Sequence, residues 1–264
     1  MDIRVNGSIV HAYTGSRAPD ESLPSVVFVH GAAHDHSVWA LQSRYFAWHG
    51  CNALAIDLPG HGRSDGAPLP TIEAIADWIA ELVATAARGS ATLVGHSMGA
   101  LAVLECAARH PAVVERVALL GPAVPMAVSD VLLAAARDNA QLAYEMINAW
   151  SFSARAVLGG NPAPGMSMSG SAMRLMQRAS AGTLHTDLLA CQRYVRGIEA
   201  ASEAMAPALV ILGGRDLMAP GRQAASLLSA LREPSVVTFD AAGHALMAEQ
   251  PAGVLDALTA FVPH

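Results

Sequence analysis

Hydrophobic positions along the chain fall into two alternating patterns. Short, mostly apolar runs, many of them rich in β-branched residues, occur at 25–29, 53–56, 91–94, 114–120, 208–212 and 235–239. Runs of this length suit strands buried on both faces of a parallel sheet. Between them, apolar residues recur at helical spacing over 38–49, 71–88, 101–110, 221–231 and 245–261. In the second of these, Ile72, Ile75, Ile79, Leu82 and Val83 share one face, and Thr71 stands where an N-cap belongs. An Asn6-Gly7 turn between 3–5 and 8–13 predicts an opening hairpin, followed by a polar loop over 16–22. The alternation implies an α/β fold, a mostly parallel sheet covered on both faces with right-handed crossovers.

The rhythm stops at Gly121-Pro122. From there the pattern predicts helices over 129–136, 140–150, 171–179 and 183–195, with a stretch at 159–170 rich in Gly, Pro, Ser and Met. A linker would be polar, whereas these helices are amphipathic and carry several methionines. The segment reads as an inserted helical cap or lid. The expected organisation is a core domain made of 1–122 and 207–264, with a cap at 123–206.

Chemistry gathers at the predicted carboxyl ends of the strands, where sheets of this kind bind ligands. The sharpest signal is the stretch from Ala91 to Ala100, a strand that runs into Gly95-His96-Ser97-Met98-Gly99 and passes directly into a helical pattern. Strand, tight turn and helix in that order present a serine hydroxyl at the sheet edge on a strained backbone. Gly95 and Gly99 keep Cβ atoms out of the crowded crossing. A serine hydroxyl needs a base to take its proton. Two later strand ends supply what is missing: Asp216 follows Ile211-Leu212-Gly213-Gly214-Arg215, and His244 follows Phe239-Asp240-Ala241-Ala242-Gly243. Asp240 competes for the acid's place, but it sits at the strand edge close before the histidine.

Composition narrows the alternatives. Hydrophobic residues make up 53% of the 264 and charged residues 14%, apolar enough to raise the question of a membrane span. The longest apolar stretch, 117–136, is interrupted by Gly121, Pro122, Pro125 and Asp130 and does not qualify. The start, Met1-Asp2-Ile3-Arg4, lacks the pattern of a signal peptide, and a cytoplasmic location is the default expectation. A formal charge of −6 gives no footprint for nucleic acid or an anionic membrane. All sixteen basic residues are arginine, which removes a Schiff-base lysine. Cys51, Cys106 and Cys191 are widely spaced and read as small buried hydrophobes. His30, His34, Asp35 and His36 offer zinc-type ligands, but no second cluster follows, and neither metal nor cofactor is expected.

On these residues the chain resembles the α/β-hydrolase superfamily, close to its small capped carboxylesterase-like branch. The resemblance covers roughly 26–262 and is carried by His30-Gly31, Asp57 to Ser64, Gly95 to Gly99, Gly213 to Asp216 and Gly243-His244. It implies Ser97 as nucleophile, His244 as base and Asp216 as the acid that orients it. It also implies an oxyanion hole from the backbone N–H groups of Ala32 and Met98. His30 and His61 are then expected in supporting roles, and His96 within the elbow.

The expected reaction is cleavage of a carboxylic ester of a small or medium apolar substrate through an acyl-enzyme. His34, Tyr144 and Trp150 are the candidate substrate contacts. The cap methionines either line an adaptable pocket or fill the cap's own core. The alternatives left open are a lactone, a thioester, or the carbon–carbon bond of an acidic ring-fission product, for which Arg155, Arg174, Arg178 and Arg193 leave room. A ligand receptor built on the same fold is a further alternative. The expected partner is a small ester-like molecule, not nucleic acid or membrane, bound by a monomer or homodimer.

Overall fold

The computed structural model describes residues 1–20, 22–87, 89–160 and 165–263. In chain order it forms β1 (Asp2–Val5), β2 (Ser8–Tyr13), β3 (Ser25–Val29), α1 (Ala40–Trp48), β4 (Asn52–Ile56), α2 (Ile72–Ala86), β5 (Ala91–His96), α3 (Met98–Arg109) and β6 (Val114–Leu120). A helical segment follows: α4 (Asp130–Asp138), α5 (Ala140–Ser151), α6 (Ala154–Val157), α7 (Met168–Met176), α8 (Thr183–Arg193) and α9 (Gly197–Glu203). The chain then returns to β7 (Ala208–Gly213), α10 (Ala225–Ala230), β8 (Ser235–Phe239), α11 (Leu246–Glu249) and α12 (Pro251–Phe261).

The strands form one sheet in the order β1-β2-β4-β3-β5-β6-β7-β8. The opening hairpin joins antiparallel to β4, and the pairings from β4 to β8 are parallel. Alternate residues of each central strand enter different cores. Val27, Val29, Leu93, Val117, Leu119 and Val210 pack with α2 and α3 on one face. Val26, Phe28, Val94, Ala118, Leu120 and Ile211 pack with α1 and α12 on the other. This is why the strands read as continuous apolar runs rather than alternating ones. Trp39 is wholly buried and its ring centroid lies 5.4 Å from that of Phe28, anchoring the turn before α1. The three cysteines are free and buried. No helix among the described residues is long and apolar enough to cross a membrane.

Local rules explain the ends. Thr71 caps α2 by accepting from the Ala74 N–H at 3.1 Å. Arg88, the last residue of the helix expected over 71–88, lies outside the described residues, as do 161–164 within the Gly-rich stretch. The helix expected from 171 begins earlier, at Met168, because Ser167 caps it through the Gly170 N–H at 3.0 Å. The helix expected over 245–261 is two helices, α12 starting afresh with Pro251 in its first turn. Proline's fixed φ and missing N–H suit that position and disfavour a helix interior. The stretch 221–231 opens as a 3₁₀ turn, Gly221–Ala224, before α10. The short helices α6 and α9 have no sequence counterpart, since four and seven residues hold too few turns to display a period.

Candidate active site

Parallel strands bring their carboxyl ends to one edge of the sheet, and the loops after β3, β5, β6, β7 and β8 meet there. Ser97 follows β5 directly. Its backbone sits at φ 54 and ψ −117, a region a residue with a Cβ rarely occupies, and the turn is held by its N–H on the Leu120 carbonyl at 2.9 Å. The flanking glycines are required by contact: a Cβ on Gly99 would lie 2.5 Å from the Val29 oxygen, and one on Gly95 would strike the Gly99 carbonyl.

His244 and Asp216 are both buried, and the His244 Nδ1–H donates to Asp216 Oδ2 at 2.7 Å. The other carboxylate oxygen accepts from the N–H groups of Met218 and Ala219 at 2.8 and 2.7 Å. Burial by itself would raise the Asp216 pKa. The charge and hydrogen bond of His244, with the two N–H groups, outweigh it and hold the carboxyl below its ordinary value. Asp216 therefore stays anionic while fixing which imidazole nitrogen carries the proton. Asp240, the competing acid, lies with its backbone against Gly214.

Ser97 and His244 line one cavity of about 360 Å³, together with Ala32, His34 and His96. Its walls are apolar and come largely from the segment between β6 and β7: Met126, Leu132, Ile147, Trp150 and Leu188, with Met218 from the loop after β7. Ala32 lies in the turn after β3, and Met98 is the first residue of α3, where an N–H has no intrahelical acceptor. Of the three candidate contacts, His34 and Trp150 reach the cavity. Tyr144 is buried in the core and is not among the lining residues. Met126 lines the cavity, whereas Met168 and Met176 are buried in packed clusters and Met166 is exposed.

No arginine, aspartate or glutamate is among the residues lining the cavity. Burial pushes His34 down to about 4 and His96 well below its ordinary value, so both rings are neutral near pH 7. The four arginines considered for an acidic substrate point elsewhere: Arg155, Arg174 and Arg193 are exposed, and Arg178 donates to Asp35 at 2.5 Å. Asp35 caps the turn at 36–39, accepting from the Ser37 N–H at 2.9 Å.

Behind the serine, His30 is wholly buried and neutral, pushed down to about 3 chiefly by burial. Its Nδ1–H donates to the Gly31 carbonyl at 2.8 Å, and its Nε2 accepts from the Leu58 N–H at 3.1 Å. His96 donates through Nε2 to the His244 carbonyl at 2.9 Å. Among the described residues, ligand atoms of His11, His36 and Asp57 lie within 4.8 Å of one another. Asp57 is already committed there, accepting from His36 Nδ1 at 2.8 Å and from the Arg63 N–H at 2.9 Å, with the Arg63 guanidinium 3.4 Å from His11. That cluster braces the glycine-rich loop after β4.

The profile of the alpha/beta hydrolase family matches residues 26–257. The chain belongs to that family. Among curated relatives of this alpha/beta hydrolase, 2-(acetamidomethylene)succinate hydrolase of Mesorhizobium japonicum is 35% identical over 128 residues, 45% of this chain and 44% of that protein. Pimeloyl-[acyl-carrier protein] methyl ester esterase of Chromobacterium violaceum is 39% identical over 97 residues, 37% and 36% of the two chains. These matches span under half the length of either relative. In fold, the chain resembles an esterase from Exiguobacterium antarcticum, with a TM-score of 0.84, 17% identity and 98% of each chain covered.

Sequence reasoning missed three residues that pack against or hydrogen-bond the loops of this site in the hydrolase. Gly121, at φ +59 just past β6, lies against His244 and Asp216. Glu249 accepts from the Gly243 N–H at 2.9 Å and from the Ser153 N–H at 3.2 Å, and also bonds the Ser153 hydroxyl. Asp187, on α8, accepts from the Ala33 N–H at 2.8 Å. Only the last left a signal: it interrupts the apolar stripe of Leu184, Leu188 and Cys191, where a carboxylate needs a partner.

Proposed function

We propose that the protein is a serine hydrolase that cleaves carboxylic esters of uncharged, apolar, small to medium substrates through an acyl-enzyme. The observation that carries this reading is the His244–Asp216 hydrogen bond beside Ser97, in one apolar cavity free of charged side chains. Ser97 Oγ attacks the carbonyl carbon while His244 Nε2 takes its proton, and Asp216 stabilises the imidazolium that forms. The N–H groups of Ala32 and Met98 receive the oxyanion, each donor of this kind worth about 2.7–4 kcal/mol. Collapse breaks the ester C–O bond, and His244 returns the proton to the leaving alkoxide. Water then attacks the acyl-enzyme by the same steps in reverse. The segment 123–206 acts as a cap, because its side chains supply most of the apolar wall.

A lactone is an internal ester and fits the same chemistry. An acidic ring-fission product fits less well. Its carboxylates would enter an apolar cavity with no arginine among the residues that line it, a costly transfer without a counter-charge. The test is hydrolysis of p-nitrophenyl butyrate by the purified protein and its Ser97→Ala variant. Turnover is expected to fall by several orders of magnitude, about 10⁶-fold in comparable triads. Hydrolysis by the variant near the wild-type rate would refute the reading. Introducing a carboxylate into the acyl group is expected to raise KM, and equal KM values would refute the assignment to neutral substrates.

A further inference from the structure

The turn that carries Ala32 is held by a residue of the helical insertion. Residues Gly31 to His34 close a four-residue turn, the His34 N–H reaching the Gly31 carbonyl at 3.3 Å. Ala33, third in the turn, sits at φ +52, whereas Ala32 is not at positive φ. That combination is the type II arrangement, which favours glycine at the third place; with alanine there, the type I alternative, its central peptide flipped, is the relaxed one. Something outside the turn must therefore hold the peptide between Ala32 and Ala33.

The partner is Asp187. Its Oδ2 accepts from the Ala33 N–H at 2.8 Å, across 154 residues of sequence, and its side chain is 1% exposed. Flipping the peptide would turn the Ala32 carbonyl onto this carboxylate and lose the bond. Asp187 is fixed in turn by His61, whose Nε2–H donates to the same oxygen at 2.9 Å. His61 Nδ1 faces the Pro59 carbonyl at 3.0 Å, so both ring nitrogens meet acceptors and only the doubly protonated ring satisfies both. Burial opposes that charge, but the hydrogen bond and the negative charge of Asp187 outweigh it and raise the His61 pKa. The His61 ring lies 4.9 Å from that of His30, which grips the other end of the turn through the Gly31 carbonyl.

We propose that Asp187 is a positioning residue for the hydrolysis. From the insertion, its carboxylate fixes the Gly31–His34 turn so that the Ala32 N–H points where the oxyanion forms. The proposal rests on Ser97 chemistry as read above, and it makes docking of α8 and assembly of the oxyanion hole a single event. Asp187 does not line the cavity, so its loss acts on the rate and not on ground-state binding.

The test uses the full chain with Asp187→Ala, Asp187→Asn and Ser97→Ala, p-nitrophenyl butyrate as substrate, and an aryl trifluoromethyl ketone as probe of the tetrahedral adduct. Active sites are counted by fluorophosphonate labelling run to completion, so that unfolded protein does not enter kcat. Asp187→Ala is expected to lower kcat per labelled site by about ten- to hundredfold, in line with a misplaced catalytic group, with KM within about threefold of wild type. Ketone affinity is expected to fall by the same factor as kcat/KM. Asp187→Asn keeps an oxygen for the Ala33 N–H, and is expected to lose about three- to tenfold in kcat and in ketone affinity together. Should Asp187→Ala not fold, that parallel loss in Asp187→Asn carries the test. Wild-type kcat and ketone affinity in the folded variants, or a loss confined to KM, would overturn the inference alone. Turnover that survives Ser97→Ala would overturn the reading on which it rests.

Discussion

Replacing Gly121 by alanine tests the geometry at the imidazole without removing any polar group. A Cβ at this position would lie 3.1 Å from both Cε1 and Nδ1 of His244 and 3.7 Å from Asp216 Oδ2. Carbon contacts settle at about 3.5–4.0 Å, so the ring must retreat by about half an ångström. It is held by the 2.7 Å bond to Asp216, which is itself tied to the Met218 and Ala219 N–H groups. The retreat therefore stretches that bond or shifts Nε2 relative to Ser97. A misplacement of about 1 Å can cost about 10²-fold in rate, so half of it corresponds to about tenfold in kcat. The φ of +59 adds a backbone cost of about 1–2 kcal/mol, equivalent to a loss of roughly 2–8 °C in Tm for a domain of this size. Gly7→Ala is the control: that glycine is at φ +84 in the opening hairpin, and a Cβ added there would meet nothing within 4 Å. Nitrophenyl-ester kcat and calorimetric Tm are measured on both variants. Wild-type kcat in folded Gly121→Ala, or an equal loss of kcat in Gly7→Ala, would refute the reasoning.

Stability is expected to fall as the pH drops from about 6.5 toward 4.5. His30 and His34 are held at about 3 and about 4 in the folded chain, below the unfolded value near 6.5, so the unfolded state binds more protons in this window. Each such ring contributes at most about 1.4 kcal/mol per pH unit, the partly exposed His34 less. Urea denaturation as a function of pH checks this; a flat profile over the window, or an unchanged slope in His30→Asn, would contradict it. Glu249→Ala strips the buried Gly243 and Ser153 N–H groups of their acceptor and is expected to cost about 2–4 kcal/mol, read as a lower urea midpoint. A change below about 0.5 kcal/mol would show that those bonds are replaced by water.

What could be read from the sequence was whatever depends on neighbours along the chain. The central strands are buried on both faces, so 25–29 and 208–212 announce themselves as apolar runs. Thr71 caps its own helix, and Gly95 and Gly99 clear their own crossing. Ser97, Asp216 and His244 were legible because each follows a strand, and parallel strands end at one edge. Gly121, Asp187 and Glu249 act on residues distant in sequence through packing that no local pattern encodes. Tyr144 and Trp150 share α5, yet only Trp150 meets the cavity, because the helix's docking angle decides which side faces inward. The neutral state of His30 and His34 likewise follows from burial that composition does not reveal.

The central claim is that His244, oriented by Asp216, makes Ser97 a nucleophile. Mass spectrometry of the protein treated with a fluorophosphonate measures this directly, comparing wild type with His244→Ala at equal exposure. The account predicts one adduct per chain, on the peptide containing Ser97, formed at least about 10³-fold more slowly in the variant. An adduct on another residue, or an equal rate of labelling without the imidazole, would contradict it.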